Sequence, residues 1–370
     1  MFFEALKRQR AGEDILMVCI GEHDFDAPAQ TIEACKNALD TGHHNYTEIP
    51  GKPDLRDAMA RVSTIAVGTE VSPEEVISMP GGQAGLYASM QATLNPGDHV
   101  VSISPYYVTY PGTIRAAGAT ATFVEAYSED GFQPRAENLE AAIQKNTKAI
   151  LINSPNNPTC SIYSRETIEM ICDICKRHDL WLISDEVYWS LSNGQHVSPF
   201  SLPGMKERTV VILSMSKSHG MTGWRVGWVV ADKALTYYFT QHNLVCNYGM
   251  CDFITEAATK ALNGDFGVEE IANTYRKRGE VFLEALGQTN DIKVMNEPGN
   301  MYIMLDIRAK ASDTQRFAFE LLDAEKVAVM PGESFGAPAA GHIRISLGQP
   351  EDKLREAAGR IRRFITNYSQ

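Results

Sequence analysis

A short apolar run that ends in a lysine between hydroxyl residues places the strongest constraint on this chain. Residues 210–213 read Val-Val-Ile-Leu and predict a buried strand, and Ser214, Ser216 and Lys217 follow directly. Arg225 comes eight positions after the lysine, close to two glycines. A desolvated lysine becomes a free amine that can form a Schiff base. Hydroxyls and an arginine suit a phosphate dianion. A solvated lysine and a surface arginine are the alternative interpretation.

The complete block matches S-x-S-K-x-x-G-x-x-G-x-R-x-G at every fixed position. It resembles the lysine signature of the fold-type I, class I and II aminotransferases. The resemblance implies that Lys217 carries pyridoxal 5′-phosphate (PLP) through a Schiff base. It also implies that Ser214, Ser216 and Arg225 bind the phosphate of that cofactor.

A glycine turn upstream fits the same phosphate. The apolar residues 76–79 predict a strand, residues 86–94 predict a helix, and Gly82, Gln83 and Ala84 lie between them. A strand, a glycine turn and a helix start direct free N–H groups at a phosphate. The resemblance therefore adds these three residues to the cofactor site.

Further polar motifs follow predicted strands, where open α/β sheets bind ligands. Tyr107 follows one strand, Asn157 lies in an Asn-Asn-Pro-Thr-Cys turn, and Asp185 and Tyr188 form an Asp-Glu-Val-Tyr motif. The resemblance implies that Tyr107 stacks on the pyridine ring and that Asp185 faces its nitrogen. Asn157 and Tyr188 are expected to bind the phenolate oxygen, and Tyr188 is also a catalytic candidate beside Lys217 and Asp185. Cys160 stands where the family has glycine.

Three segments carry the expected substrate and dimer contacts. Residues 15–20 predict a strand that ends at Gly21, where family members bring backbone to the substrate carboxylate, and His23 replaces a usual proline. Tyr46 matches a family tyrosine that reaches the phosphate of a neighbouring subunit. Arg344, in an Arg-Ile-Ser motif, is expected to clamp the substrate α-carboxylate, together with Asn157. The resemblance thus implies a homodimer with shared active sites, although the chain begins about one helix later than its family.

The expected fold is α/β, the fold type I of PLP-dependent transferases. Its large domain has a mostly parallel seven-stranded sheet flanked by helices, and a smaller α+β domain follows. We predict that residues 26–265 form the large cofactor-binding domain and residues 266–370 the small one. Residues 1–25 are expected to belong to the small domain or the interface. A length of 370 residues allows these two cores.

Composition excludes some classes of binding partner and indicates where in the cell the protein is located. The formal net charge of −12 argues against a nucleic-acid partner, and anionic substrates then need specific arginines. No apolar run approaches the ~20 residues of a membrane helix, and the start lacks the features of a signal peptide. Seven scattered cysteines predict reduced thiols in a cytoplasm. Cys172 and Cys175 lie in a predicted helix without a second ligand pair, so we expect no metal site.

The resemblance implies transfer of an amino group between an α-amino acid and a 2-oxo acid. A carbon–sulfur β-lyase or another reaction at Cα or Cβ remains an alternative on the same scaffold. A sensor domain without enzymatic activity is a third, although such regulators carry a DNA-binding module for which we expect no room. No lysine lies near Gln83, so we do not expect strict aspartate specificity. Asn247 and Tyr248 depart from the small residues usual in the family, and contact with the site of a partner subunit is one interpretation of them.

Overall fold

One inner strand of the largest sheet carries apolar residues on both faces. In the computed structural model, which describes residues 1–264, 267–296 and 299–368, Ile150 and Ile152 point to one side of the strand Thr147–Asn153. Ala149 and Leu151 point to the other side. Successive side chains of a strand alternate between faces, so a continuous apolar run needs helices on both sides.

The seven-stranded sheet is mostly parallel, as predicted. Gly227–Val230 runs antiparallel to both of its neighbours, and the other adjacent strands are parallel. In spatial order the strands are Val76–Met79, Gly227–Val230, Thr209–Ser214, Trp181–Asp185, Thr147–Asn153, His99–Ser104 and Thr120–Glu125.

Helices cover both faces of this sheet, and further helices lie elsewhere in the chain. Arg165–Arg177 packs on one face through Ile168 and Ile171, and Gly82–Thr93 packs on the other through Leu86 and Met90. The other α-helices are Phe2–Arg10, Ala29–Asp40, Pro53–Val67, Tyr110–Ala116, Ala136–Ala142, Met215–Ser218, Lys233–Cys246, Asp252–Asn263, Val268–Leu286, Thr314–Glu325 and Glu351–Asn367.

Two smaller sheets lie in the C-terminal part of the chain. The order Met330–Pro331, His342–Ser346, Tyr302–Asp306, Lys293–Val294 forms an antiparallel sheet. Its buried residues share a core with Phe282 of one long helix and Ile361 of another. The second sheet pairs Leu16–Met17 in parallel with Val327–Ala328, so the N-terminal segment lies against this part of the molecule. The proposed division at residues 25 and 265 stays a prediction.

The prediction of a strand over residues 15–20 was too long. Only Leu16 and Met17 are in strand conformation, because the pairing strand Val327–Ala328 is itself two residues long. The backbone of Val18 still donates to the carbonyl of Ala328 at 3.1 Å, and Gly21 then leads the chain into the region of the lysine.

Candidate active site

The carboxyl ends of the central strands open into a cavity of about 530 Å³. Side chains from the small antiparallel sheet close its other side, so residues far apart in sequence share one space. Most of the predicted site residues line this cavity. They are Gly21, Gly82, Gln83, Tyr107, Asn157, Asp185, Tyr188, Ser214, Ser216, Lys217, Arg225 and Arg344.

Lys217 lies on a single helical turn, Met215–Ser218, directly after a buried strand. Ser214 caps this turn by accepting from the backbone N–H of Ser216 at 3.1 Å. The Lys217 ammonium donates to the carbonyl oxygen of Gly21 at 2.5 Å. Burial lowers the pKa of Lys217 to about 8, and the cations of Arg344 and Arg225 act in the same direction. A free amine is therefore accessible close to neutral pH.

Asp185 ends a central strand with its carboxylate in the cavity. Its side chain accepts from the hydroxyl of Tyr110 at 2.7 Å, and its backbone carbonyl accepts from Asn153 at 2.8 Å. Burial raises the pKa of Asp185 to about 6, although the bond from Tyr110 opposes this shift. A cation facing the carboxylate would stabilise its charged form and so lower its pKa.

A chain of hydrogen bonds runs across the cavity wall. The amide of Asn157 donates to the hydroxyl of Tyr188 at 3.1 Å, and that hydroxyl lies 3.1 Å from the hydroxyl of Tyr302. Burial raises the pKa of Tyr188 well above its ordinary value, so its hydroxyl stays protonated. The wall therefore presents neutral donors to an oxyanion.

Arg344 projects from a strand of the small sheet to the same wall. It donates to the side-chain oxygen of Asn157 at 2.7 Å and to the carbonyl oxygen of Cys19 at 2.7 Å. The guanidinium lies 4.3 Å from the ring centroid of Tyr302 and 4.9 Å from that of Phe335. Its Nε atom is buried and has no hydrogen-bond partner among the described residues. A cation that has no paired carboxylate in the described part of the chain suits an anionic ligand.

At the opposite end of the cavity, the backbone lies very close to neighbouring side chains. Helix Gly82–Thr93 begins there, and Gly81 precedes it with a φ of +89°. A Cβ atom on Gly81 would lie 2.2 Å from the guanidinium of Arg225. The hydroxyls of Ser214 and Ser216 are 3.0 Å apart beside these groups. Free helix N–H groups, two hydroxyls and an arginine form a suitable cradle for a phosphate.

The donor set as a whole fits PLP. The cradle suits the phosphate, the carboxylate of Asp185 suits a protonated ring nitrogen, and the Asn157 and Tyr188 donors suit the ring oxygen. The amine of Lys217 shares the cavity with all three groups.

Two predicted residues lie outside the cavity of their own chain. Ala84 lies on the helix one residue beyond the lining. Tyr46 is 84% exposed, and its ring packs edge-on against Tyr248 at 4.8 Å. Tyr46 does not line the cavity of its own chain, so its assigned role would require a second subunit.

Several residues of this region were not predicted. Tyr302 lines the wall, and a Cβ atom on Gly21 would lie 1.9 Å from its hydroxyl, so that position requires glycine. Tyr110 binds Asp185, and Phe2 of the first helix lines the entrance. Cys160 adopts a φ of +59° and donates to the carbonyl of Tyr302 at 3.2 Å. A local aromatic or cysteine offers no sequence signal for such long-range contacts.

One other cluster of ionisable groups resembles a metal site. His43, Asp252 and Glu256 lie together, but the ammonium of Lys52 is 2.8 Å from Asp252 and 2.6 Å from Glu256. This lysine already takes the position of a cation. In the described ranges, no helix is both long and apolar enough to cross a membrane.

Comparisons with known proteins agree with this geometry. The family model "Aminotransferase class I and II" matches residues 13–361. An arginine–pyruvate transaminase from Pseudomonas aeruginosa is 42% identical over 97% of this chain and 92% of its own. An aspartate/prephenate aminotransferase from Thermus thermophilus is 36% identical over 98% and 94%. The crystal structure of an aspartate aminotransferase from Thermotoga maritima is 32% identical and superposes with a TM-score of 0.92, covering 98% of this chain and 95% of that one.

These matches span nearly the whole chain, and the cavity contains the groups that the chemistry of the family requires. The chain belongs to the class I and II aminotransferases, and it is a PLP-dependent transaminase.

Proposed function

We propose that Lys217 is the covalent partner of the cofactor and the base of the reaction, and that Arg344 binds the substrate α-carboxylate. The convergence of Lys217, Asp185, Asn157 and Arg344 on one cavity supports this assignment. When bound, PLP supplies an electron sink for the charge left after removal of the α proton.

Around that cofactor, each group of the chain has one task. Asp185 holds a proton on the ring nitrogen, and Tyr110 orients the carboxylate by its hydrogen bond. Asn157 and Tyr188 donate toward the ring oxygen. Tyr107, on the cavity wall, would pack on one face of the ring. The phosphate is held by Gly82, Gln83, Ala84, Ser214, Ser216 and Arg225.

The amine of Lys217 removes the proton from the substrate Cα. Its lowered pKa of about 8 leaves part of the population unprotonated near neutral pH, which a general base requires. In the cofactor-free chain, the carbonyl of Gly21 lies 2.5 Å from Nζ and fixes the end of the flexible side chain. Arg344 then orients the α-carboxylate, and the absence of a side chain at Gly21 allows the ring of Tyr302 to pack against the backbone there.

We further propose that the preferred amino donor has a long side chain that is apolar or cationic. The cavity-lining cations are Lys217, Arg225 and Arg344, and each has a task at the cofactor or the α-carboxylate. A second substrate carboxylate would therefore find no free cation among the described residues that line this cavity. Glu22 also lines the cavity, and its charge favours a cationic group. The arginine–pyruvate transaminase among the relatives is consistent with this preference.

A panel of donors tests the preference. Arginine, lysine, leucine, alanine and aspartate would be assayed with pyruvate, 2-oxoglutarate and oxaloacetate as acceptors. We expect kcat/KM for arginine or leucine to exceed that for aspartate. The opposite order would contradict the proposal. Incubation with donor alone tests the reaction itself: conversion of the cofactor to its amino form indicates transamination, and release of pyruvate indicates a β-lyase.

We also propose a homodimer with shared sites. Tyr46 and Tyr248 are exposed and in ring contact, and Leu244 and Val245, close to Tyr248 in sequence, are exposed as well. Exposed apolar patches commonly mark interfaces. A twofold interface would bring Tyr46 to the phosphate of the partner subunit. Mixing inactive Tyr46 and Lys217 variants should restore some activity, because one site of a heterodimer has all its native residues. A monomer in sedimentation would contradict the shared site.

The location and domain division complete the proposal. All seven cysteines lie within the described ranges and are free thiols, which agrees with a reducing cytoplasm. The chain is proposed to divide into residues 1–25 and 266–370 around the small sheets and residues 26–265 around the large one. Limited proteolysis near residue 265 would test this division.

A further inference from the structure

His23 connects the turn that carries the lysine to a long helix of the C-terminal part. It follows the cavity-lining residues Gly21 and Glu22 and is half-buried. Its Nε2 atom lies 2.8 Å from the carbonyl oxygen of Ser216, the residue directly before Lys217. Its Nδ1 atom lies 2.6 Å from the hydroxyl of Tyr275 on helix Val268–Leu286. A proline, which the family has here, can form neither bond.

The partners determine the tautomer of the ring. A carbonyl oxygen only accepts, so Nε2 of His23 must carry the proton that is donated to Ser216. In the neutral ring Nδ1 is then an acceptor, and the hydroxyl of Tyr275 donates to it. Tyr275 is buried, so this bond satisfies a hydroxyl that water cannot reach. With a neutral imidazole the hydrogen bonds therefore run in one direction, from Tyr275 through His23 to Ser216.

The charged groups around the ring favour the neutral form. Burial lowers the pKa of His23 to about 4, and the cation of Lys217 acts in the same direction. On the neighbouring helix Arg278 faces Asp24 at 2.7 Å, so these two opposite charges largely balance. The rings of Phe25 and Tyr275 pack on His23 with centroids 4.7 and 5.7 Å away. The imidazole is held by both stacking and hydrogen bonds.

The turn that carries Lys217 needs an external support. Met215–Ser218 has four residues, and a helix this short is not stable by itself. The carbonyl of Ser216 lies in its last turn, where helix carbonyls lack partners within the helix. The bond between Ser214 and the backbone of Ser216 is local to the turn. His23 instead ties the turn to a helix of 19 residues.

We propose that His23 is a positioning residue that holds the Lys217 turn against residues 20–25 and helix Val268–Leu286, so that the amine stays directed into the cavity. This inference rests on the proposed role of Lys217. The same segment supplies the Gly21 carbonyl that accepts from Lys217 in the cofactor-free chain, so residues two positions apart contact the Lys217 amine and the carbonyl of the residue before it.

The test compares two substitutions that differ in one donor. His23→Leu keeps the bulk and removes both hydrogen bonds, whereas His23→Gln keeps an N–H that can reach the carbonyl of Ser216. Because a misplacement of about 1 Å can cost ~10²-fold in rate, we expect His23→Leu to lower kcat at least about tenfold with KM within about threefold. His23→Gln should recover to within about threefold of wild type. The pH titration of the absorbance of the lysine-bound cofactor, measured without substrate, should shift in His23→Leu and return in His23→Gln.

A second histidine supplies the matched control. His99 is buried and bridges Thr147 and Thr122 at 2.8 and 2.9 Å at the start of a strand. His99→Leu should lower Tm but leave the cofactor titration unchanged. The inference is overturned if His99→Leu shifts the titration as much as His23→Leu, or if His23→Leu leaves both kcat and the titration at wild-type values. If wild type shows no absorbance that Lys217→Ala removes, the role of Lys217 itself is wrong.

Tyr275 allows the connection to be tested from its other end. Tyr275→Phe removes the hydroxyl that binds His23 and keeps the ring that packs on it. If the three residues act as one chain, the His23→Leu, Tyr275→Phe double variant should show no larger loss of kcat than His23→Leu alone. Multiplicative losses would contradict a shared connection.

Discussion

Substitution of Asp185 by asparagine should stabilise the cofactor-free protein while it damages the enzyme. Asp185 is 8% exposed, and within the described part of the chain its carboxylate contacts the Tyr110 hydroxyl but no cation. Its folded-state pKa is raised to about 6 from an ordinary value of 3.8. The folded protein therefore binds a proton at the Asp185 carboxyl group more tightly than the unfolded chain does. The contribution of this proton to the free energy of unfolding is lost as pH rises through the folded pKa.

The magnitude follows from that shift. A difference of about two pKa units lowers the free energy of unfolding by ~3 kcal/mol at pH 8, where the buried group is charged, relative to low pH, where it is protonated. At pH 5 the group is mostly protonated in the folded state, and roughly half of this penalty is recovered. Asparagine is neutral at both values of pH. Asp185→Asn should therefore increase the free energy of unfolding by up to about 3 kcal/mol at pH 8 and by about half as much at pH 5.

Denaturant unfolding of apoprotein at one fixed concentration measures this difference, since stability of a dimer depends on concentration. Asp14, which is exposed, supplies the control substitution Asp14→Asn, for which we expect little change. In the loaded enzyme Asp185→Asn should instead lower kcat by about 10²-fold or more, because a neutral amide no longer holds the ring proton. A destabilised variant, or a gain in stability that does not change with pH, would refute the reasoning.

Three further substitutions or conditions test the site. The Lys217→Ala variant should lack the absorbance of the lysine-bound cofactor and should catalyse transamination slower by orders of magnitude, because the base and the covalent partner are lost together. Near-native transamination would exclude both roles. Arg344→Lys should raise KM for every carboxylate substrate, because a point charge cannot replace the planar fork, whereas an effect confined to dicarboxylic substrates would place Arg344 at a side-chain pocket. Loading of apoprotein with PLP should accelerate with pH and level off above about pH 8, where the pKa of Lys217 lies; a rate independent of pH would contradict attack by the neutral amine.

Much of the large sheet could be predicted because its signals are local. Residues 149–152 and 210–213 are continuous apolar runs, and each is followed by the polar motif that a parallel strand presents at its carboxyl end. The structure confirms both strands and brings Asn157 and Lys217 to one cavity. The predicted strand at residues 15–20 failed because its length depends on a partner strand that lies about 310 residues later.

Contacts between segments that are far apart in the sequence could not be predicted, because no local sequence pattern indicates them. Tyr110 and Tyr302 look like ordinary core aromatics in the sequence, and only the folded chain shows that one binds Asp185 and the other limits Gly21 to glycine. His23 was recognised as a departure from the family, but its two partners are 193 and 252 positions away.

The sequence by itself determined the family, the cofactor and the order of the strand-end motifs, because each of these depends on residue types at short, fixed spacings. The tertiary structure decided which groups share the cavity, that Lys217 and Asp185 have shifted pKa values, and that Tyr46 is not among the residues that line the cavity of its own chain. The physical reason is that desolvation and hydrogen bonding depend on distance in space. Asn157 and Arg344, for example, are 187 positions apart in the chain and 2.7 Å apart in the fold.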